Sequence, residues 1–199
     1  LMSLPRRLTL TDTHELAMEP AGNIQSLRDT CLKIDAMTLP ANEEIVFDRI
    51  QGDCLEIEAS IDPQAAPLVE LNVLRSPGKE EYTRIAFYKQ RGFAHRSPAP
   101  RSNLRDSLIT IDSSYSSALP DALCRAPETA PVLLKPDELL QLRIFIDKSV
   151  VEVFVNGRQC AAVRVYPGRA DSQGVSIRAQ GQPAVLKELR AWQMKSIYC

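Results

Sequence analysis

A protein that handles covalent chemistry needs nucleophiles, proton carriers or metal ligands at workable spacings, and this chain has few. Its two histidines are His14, in a turn near the start, and His95, in an arginine-rich stretch. Neither has a neighbour at metal-ligand spacing, and neither is placed for a Ser–His–Asp arrangement. No G-x-S-x-G, phosphate-cradling glycine loop or dinucleotide fingerprint occurs. Five cysteines, Cys31, Cys54, Cys124, Cys160 and Cys199, are scattered without a C-x-x-C pair. Free thiols are therefore expected, with one disulfide left open. No metal and no other cofactor is expected.

Carboxylates remain, because a glycosidase needs only two of them across a sugar. Glu56, Glu58, Asp147 and Glu152 all fall in strand-like sequence. Glu152 shares a strand face with Phe154, so it reads as an ion-pair partner of Arg143 or Arg164 rather than a catalytic acid. Asp147 precedes a turn and reads as a cap for its amides. Arg91, Arg96, Arg101 and Arg105 form a basic loop with only Phe93 among them. That loop reads as a solvated or docking face, not a nucleic-acid surface. A net charge of -1, from 24 basic and 25 acidic residues, agrees. Trp192, the only tryptophan, reads as a core or interface residue rather than a sugar-stacking platform.

The elements that would hold these residues are strands. From Leu142 to Pro167 the chain reads LRIFIDKSVVEVFVNGRQCAAVRVYP. Leu142, Ile144 and Ile146 alternate with Arg143, Phe145 and Asp147; Val151, Val153 and Val155 alternate with Glu152, Phe154 and Asn156. Lys148-Ser149 makes one turn. Asn156-Gly157, both tolerant of positive φ, makes a type I′ hairpin turn. Ala161, Val163 and Val165 form the return strand. Further strands are expected at Leu8–Thr11, Ile45–Phe47, Cys54–Ile61, Val69–Leu74, Tyr82–Lys89, Leu108–Asp112, Gly174–Ala179 and Val185–Met194. A short helix is expected within residues 20–29, capped by Asn23 with Ile24 and Leu27 on one face. Residues 91–107 and Ser113–Pro136 read as long irregular passages.

About ten to twelve short strands, one short N-terminal helix at most, 14 prolines and no βαβ spacing predict an all-β fold. The expected form is a two-sheet antiparallel β-sandwich, of jelly-roll or concanavalin type, spanning residues 1–199 as one domain. Hydrophobic residues at 44% and charged residues at 25% fit a globular chain. No apolar run is long enough to span a membrane, and LMSLPRRLTL lacks the basic-then-apolar order of a signal peptide. Cytoplasmic and secreted locations both stay open.

Asp147, Ser149, Glu152, Phe154, Asn156 and Gly157 fit D-x-S-x-V-E-x-F-x-N-G, which resembles a stretch of the C-terminal β-sandwich of glycoside hydrolase family 32, the invertases, inulinases, levanases and fructosyltransferases. Leu4-Pro5-Arg6-Arg7-Leu8 and Glu19-Pro20 resemble the lead into that module. Cys54 to Ile61 and Asn72-Val73-Leu74 are similar to its early strands. Asp112 to Ser117 resembles its D-R-S-x-S segment, with Ser113 where the family has arginine. Leu186 to Trp192 resembles its final strand. The resemblance implies that catalysis belongs to an N-terminal five-bladed propeller with N-D-P-N-G, R-D-P and E-C segments, none of which occurs here. Arg28-Asp29-Thr30 and Arg105-Asp106-Ser107 lack the proline, so no catalytic residue carries over. The motif residues and Trp192 are expected to be structural.

The implied role is structural support for a propeller that acts on β-fructosides. The chain would then be a processed half, an expressed fragment or one chain of a nicked enzyme. Two other roles stay open: a carbohydrate-binding module using Tyr82, Tyr88 or Tyr115, and a protein-interaction module. Self-association is also open. An exposed, coplanar aromatic pair would favour sugar; a broad apolar face would favour docking.

Overall fold

A computed structural model of the chain describes residues 3–12, 14–91, 107–123, 125–135 and 137–196. Alternation with period two lets a chain bury its apolar half only by pairing strands into sheets, and the described residues form fifteen strands. Strands β3 (Arg28–Ile34), β4 (Met37–Leu39), β6 (Cys54–Asp62), β11 (Leu140–Asp147), β12 (Val150–Val155), β13 (Gln159–Arg164) and β15 (Ala184–Met194) make one sheet. Its order is β13-β12-β11-β6-β15-β3, with β4 also paired to β15. Strands β5 (Glu44–Gln51), β7 (Leu68–Arg75), β8 (Thr83–Tyr88), β9 (Ser107–Asp112), β10 (Glu128–Val132) and β14 (Gly174–Gln180) make the second, in the order β10-β9-β8-β7-β14-β5. A separate hairpin joins β1 (Arg6–Leu10) to β2 (Leu16–Pro20). Every named pairing is antiparallel.

The two large sheets share one core. Leu55, Ile57, Ala59 and Ile61 of β6, Ile144 and Ile146 of β11, and Val151, Val153 and Val155 of β12 face Val69, Leu71 and Val73 of β7, Ile85 and Phe87 of β8, and Val175 and Ile177 of β14. The fold is the all-β, two-sheet antiparallel sandwich expected from the alternation, and the central ribbon lies in the seven-stranded sheet.

Four strands were not anticipated: β2, β3, β4 and β10. The expected helix within residues 20–29 is a single 3₁₀ turn, Ile24–Leu27, and Asn23 makes no side-chain cap. One turn of helix buries nothing there. At Arg28 the backbone becomes extended (φ -65°, ψ 132°) and β3 pairs with β15, with a register shift between Trp192 and Met194. The passage expected to be irregular from Ser113 to Pro136 contains β10, an edge strand that accepts Pro131 because an edge can spare one amide donor.

At Asn156-Gly157 both residues have positive φ (49° and 61°), and the Arg158 amide donates to the Val155 carbonyl at 3.0 Å, closing the turn. The loop holds three residues, since Val155 pairs with Gln159. Gly174 sits at a register shift between β14 and both its neighbours, where an added Cβ would lie 2.9 Å from the Arg75 carbonyl oxygen.

Ile144 is fully buried in the middle of the sandwich. Ile144→Ala is expected to lower unfolding free energy by about 2–5 kcal/mol in urea titration of the chain.

Candidate functional site

The outer face of the seven-stranded sheet carries most of the singled-out residues. Alternation puts Cys54, Glu56 and Glu58 of β6 on this face, opposite the core residues, with Arg143 and Phe145 of β11 and Glu152 and Phe154 of β12. The register then sets them in rows: Trp192 opposite Glu56, Glu56 opposite Phe145, Phe145 opposite Glu152. In the next row Arg190, Glu58, Arg143, Phe154 and Cys160 follow one another.

Glu152 is 1% exposed. Its Oε1 accepts from Arg6 Nε (3.2 Å) and Nη2 (2.9 Å), and its Oε2 accepts from the Leu4 amide (2.9 Å). The partner is therefore Arg6, not Arg143 or Arg164. The register gives the reason: Arg164 stands opposite Val150 and Arg143 opposite Phe154, so neither is Glu152's cross-strand neighbour. Arg164 instead lies 4.9 Å over the Tyr166 ring. Burial drives the Cys160 thiol, 3.6 Å from Glu152 Oε1, up to about 12. That thiol is inert at neutral pH.

Glu56 is fully buried and takes two arginines. Arg28 donates from Nε to Oε2 (2.8 Å) and from Nη2 to Oε1 (2.7 Å), and Arg143 Nε donates to Oε1 (2.7 Å). Arg28 also pairs with Glu58 and lies 3.7 Å over the Trp192 ring. Hydrogen bonding to Glu56 raises the Arg28 pKa further, against the opposing pull of burial. One face of Trp192 is thus already occupied. Phe145 and Phe154 pack edge to face, 6.0 Å apart at 87°.

The rest of the motif closes turns. Asn156 Oδ1 accepts the Gln141 amide (3.0 Å), while its Nδ2 donates to the Leu139 carbonyl (2.9 Å) and to Glu138 (3.1 Å). The Gly157 carbonyl accepts from the Met18 amide of β2 (2.7 Å), and the Ser149 carbonyl from the Val165 amide (2.9 Å). Asp147 is exposed, and it does not supply the expected cap: the Lys148 amide donates to the Asp53 carbonyl (2.7 Å).

Sequence reasoning missed two further carboxylates. On the six-stranded sheet, Glu44 Oε1 accepts from Ser176 Oγ (2.6 Å), Lys79 Nζ (3.0 Å) and Arg75 Nε (3.2 Å). Burial alone would raise its pKa; the bonds from Arg75, Ser176 and Lys79 outweigh it and bring the carboxyl to about 2. Glu81 is fully buried and accepts from the amides of Ala118, Gly168 and Arg169 and from Ser172 Oγ. Its pKa is also lowered, burial being outweighed by those donors. No local pattern marks either residue, since their partners are remote in sequence: strand residues and one turn for Glu44, loops for Glu81.

Among the described residues, no group of three or more His, Cys, Asp or Glu is placed to hold a metal ion, and no helix is long and apolar enough to cross a membrane. Cys31, Cys54 and Cys160 are free thiols. His14 lies exposed in a positive-φ turn (60°). His95, Phe93, Arg96, Arg101, Arg105, Cys124 and Cys199 lie outside the described residues. A glycosidase needs an acid and a base or nucleophile free to meet a sugar. Glu56 and Glu152 are both already bound by guanidinium groups.

The family profile for glycosyl hydrolases family 32 C terminal matches residues 23–193. The chain belongs to that family. A levanase of Bacillus subtilis is 26% identical over 204 residues, covering 98% of this chain but 27% of the levanase. An acid beta-fructofuranosidase of Vicia faba is 34% identical over 202 residues, covering 96% of this chain and 30% of that protein. The crystal structure of fructan 1-exohydrolase IIa from Cichorium intybus superposes with a TM-score of 0.81 at 21% identity, over 98% of this chain and 41% of that one. The chain thus spans well under half the length of these relatives.

Two outcomes follow for this family 32 C-terminal domain. Glu152→Ala leaves Arg6 and the Leu4 amide without their acceptor and should lower stability by about 3 kcal/mol, read by urea unfolding. Glu44, held at about 2 against 4.5 for a free carboxyl, contributes stability in full above about 4.5 and loses it as pH falls towards about 2. Glu44→Gln should flatten the fall in stability across that window, measured by unfolding at stepped pH.

Proposed function

We propose that residues 1–199 form one supporting module of an enzyme that hydrolyses or transfers β-fructosides with retention. The module would stabilise and dock against a catalytic five-bladed propeller carried elsewhere in the parent chain or on a separate fragment. Levanase and acid beta-fructofuranosidase among the relatives support that substrate class.

The observation that carries the docking reading is the β1–β2 hairpin. Its base is tied down: Arg6 to Glu152, the Met18 amide to the Gly157 carbonyl, and the Ala21 amide to the Pro5 carbonyl (2.7 Å). Its outer half carries Leu8 and Leu10 opposite Met18 and Leu16, all on one strand face. Leu10 is 72% exposed, Leu8 58% and Leu16 48%. A fastened hairpin that holds three leucines in water fits a surface that a neighbouring domain covers. The paired carboxylates of the sheet face support a chain that holds structure and leaves the reaction to another domain.

The purified chain is expected to release no fructose from sucrose or inulin; measurable hydrolysis without another polypeptide would overturn the reading. In the parent enzyme, Leu8→Ser with Leu10→Ser should lower the melting temperature by several degrees. Turnover per folded molecule should stay near wild type. A melting temperature unchanged by the pair would remove the hairpin from the interface.

A further inference from the structure

The outer face of the six-stranded sheet has a surface that docking through the hairpin does not use. Tyr82, just before β8, and Tyr115, just after β9, stack with ring centroids 5.2 Å apart and planes 5° from parallel. The stack is fastened below. The Tyr82 amide donates to the Tyr115 carbonyl (2.8 Å), and Thr83 Oγ1 and Ser116 Oγ are hydrogen-bonded at 2.8 Å. Lys79 Nζ lies 4.9 Å from the centre of the Tyr82 ring and is bound at 3.0 Å by Glu44. Tyr82 is thus partnered by both Tyr115 and Lys79, whereas Tyr115 is 54% exposed.

Polar side chains continue from the stack across the sheet. Arg84, two residues after Tyr82, binds Asp112 through Nη2 (2.8 Å), and Asn72 is its cross-strand neighbour. Asn72 Nδ2 reaches Glu44 (3.3 Å) and Ser176 (3.2 Å). Burial raises the pKa of the Tyr82 phenol. Asn72 Oδ1, Arg84 Nε and Arg178 Nε are buried and have no hydrogen-bond partner. Arg178 stands opposite both Glu70 and Glu44, so the three atoms belong to the same face. Polar atoms left unpaired in this way are costly and are ordinarily matched by water or a ligand.

A pre-set, exposed aromatic ring beside the partly exposed, planar Arg84 guanidinium suits a molecule with a C–H face and hydroxyl edges. The charges alternate in sign, with Glu44, Glu70 and Asp112 among Lys79, Arg84 and Arg178, so the face does not select for phosphate or another anion.

We propose that this surface binds a neutral oligosaccharide, one ring laid on Tyr115 and its hydroxyls directed at the Arg84 guanidinium, which buried Asp112 holds in place. The site is independent of the docking reading. Nystose, a neutral fructo-oligosaccharide, titrated into the 199-residue chain and followed by saturation-transfer NMR and calorimetry, should bind saturably. Maltotetraose serves as a second neutral sugar and reports how selective the surface is. Tyr115→Ala should weaken binding about fivefold with the circular dichroism spectrum unchanged. Tyr115→Phe, which keeps the ring, should retain it. Arg84→Met should also weaken it. No binding of either sugar, or binding unchanged in Tyr115→Ala, would overturn the proposal. So would loss of contact between the sandwich and the rest of the parent enzyme in Tyr115→Ala, because the stack would then be a protein contact.

Discussion

A carboxylate taken out of water must bring a cation with it, and the two buried on the outside of the seven-stranded sheet do so over long stretches of chain. Glu152 is met by Arg6, 146 residues away, and Glu56 by Arg143, 87 residues away, and Arg28, 28 residues away. Arg6 anchors the base of the β1–β2 hairpin to β12. Arg28 anchors the start of β3, the edge strand, and covers Trp192. Without these contacts the hairpin would have little beyond a few backbone hydrogen bonds to hold it, and the edge of the sheet would rest on its ladder alone. The alternating apolar residues make the sheets; the arginines decide what is fixed on top of them.

The second sheet solves the same problem with loops. Glu81 gathers donors from residues 118, 168, 169 and 172 around one carboxylate, so three connections that would otherwise wander are fixed at one end of the sandwich. Gly168 is needed at that junction, since an added Cβ would lie 2.6 Å from the Leu119 side chain. Glu44 does the same on the sheet face with Ser176, Arg75 and Lys79. Tyr115 follows β9 on the segment that Glu81 holds through Ala118, and Tyr82 is the residue after Glu81. The position of the stack is therefore a consequence of a buried acid beside it.

The sandwich was legible because its signal is local: alternation in β6, β7, β11, β12 and β15 needs no knowledge of what lies opposite. The strands that were missed carry weak alternation. β3 reads RDTCLKI, half of it polar, and is a strand because β15 offers a ladder. β10 contains a proline and exists as an edge. For the site, burial of Glu152 could be inferred from its strand face, but its partner could not. Arg143 and Arg164 are near in sequence, and only the register shows that each faces another residue. Arg6 lay in plain view beside Pro5, in the segment that resembles the family's lead-in. Nothing in its neighbourhood says that it will cross to β12. Glu44 and Glu81 gave no sign at all, because the donors of Glu44 stand on β7, β14 and the turn after β7, and those of Glu81 are mostly loop amides, all remote from the acid in sequence.

The stretch from Asp147 to Gly157 carries two carboxylates and a side-chain amide, and its geometry shows what Glu152 and Asn156 are used for. Asn156 spends its amide on the Gln141 and Leu139 backbone and on Glu138, and Glu152 spends both oxygens on Arg6 and the Leu4 amide. A catalytic carboxylate must keep an oxygen free for the reacting group. A carboxylate that closes a long-range contact must do the reverse. Once both oxygens of Glu152 are bound, the group is suited to holding the hairpin in place and unsuited to proton transfer. If the hairpin docks as proposed, the leucines at its tip are what a neighbouring domain meets, and the acid at its base holds them in position.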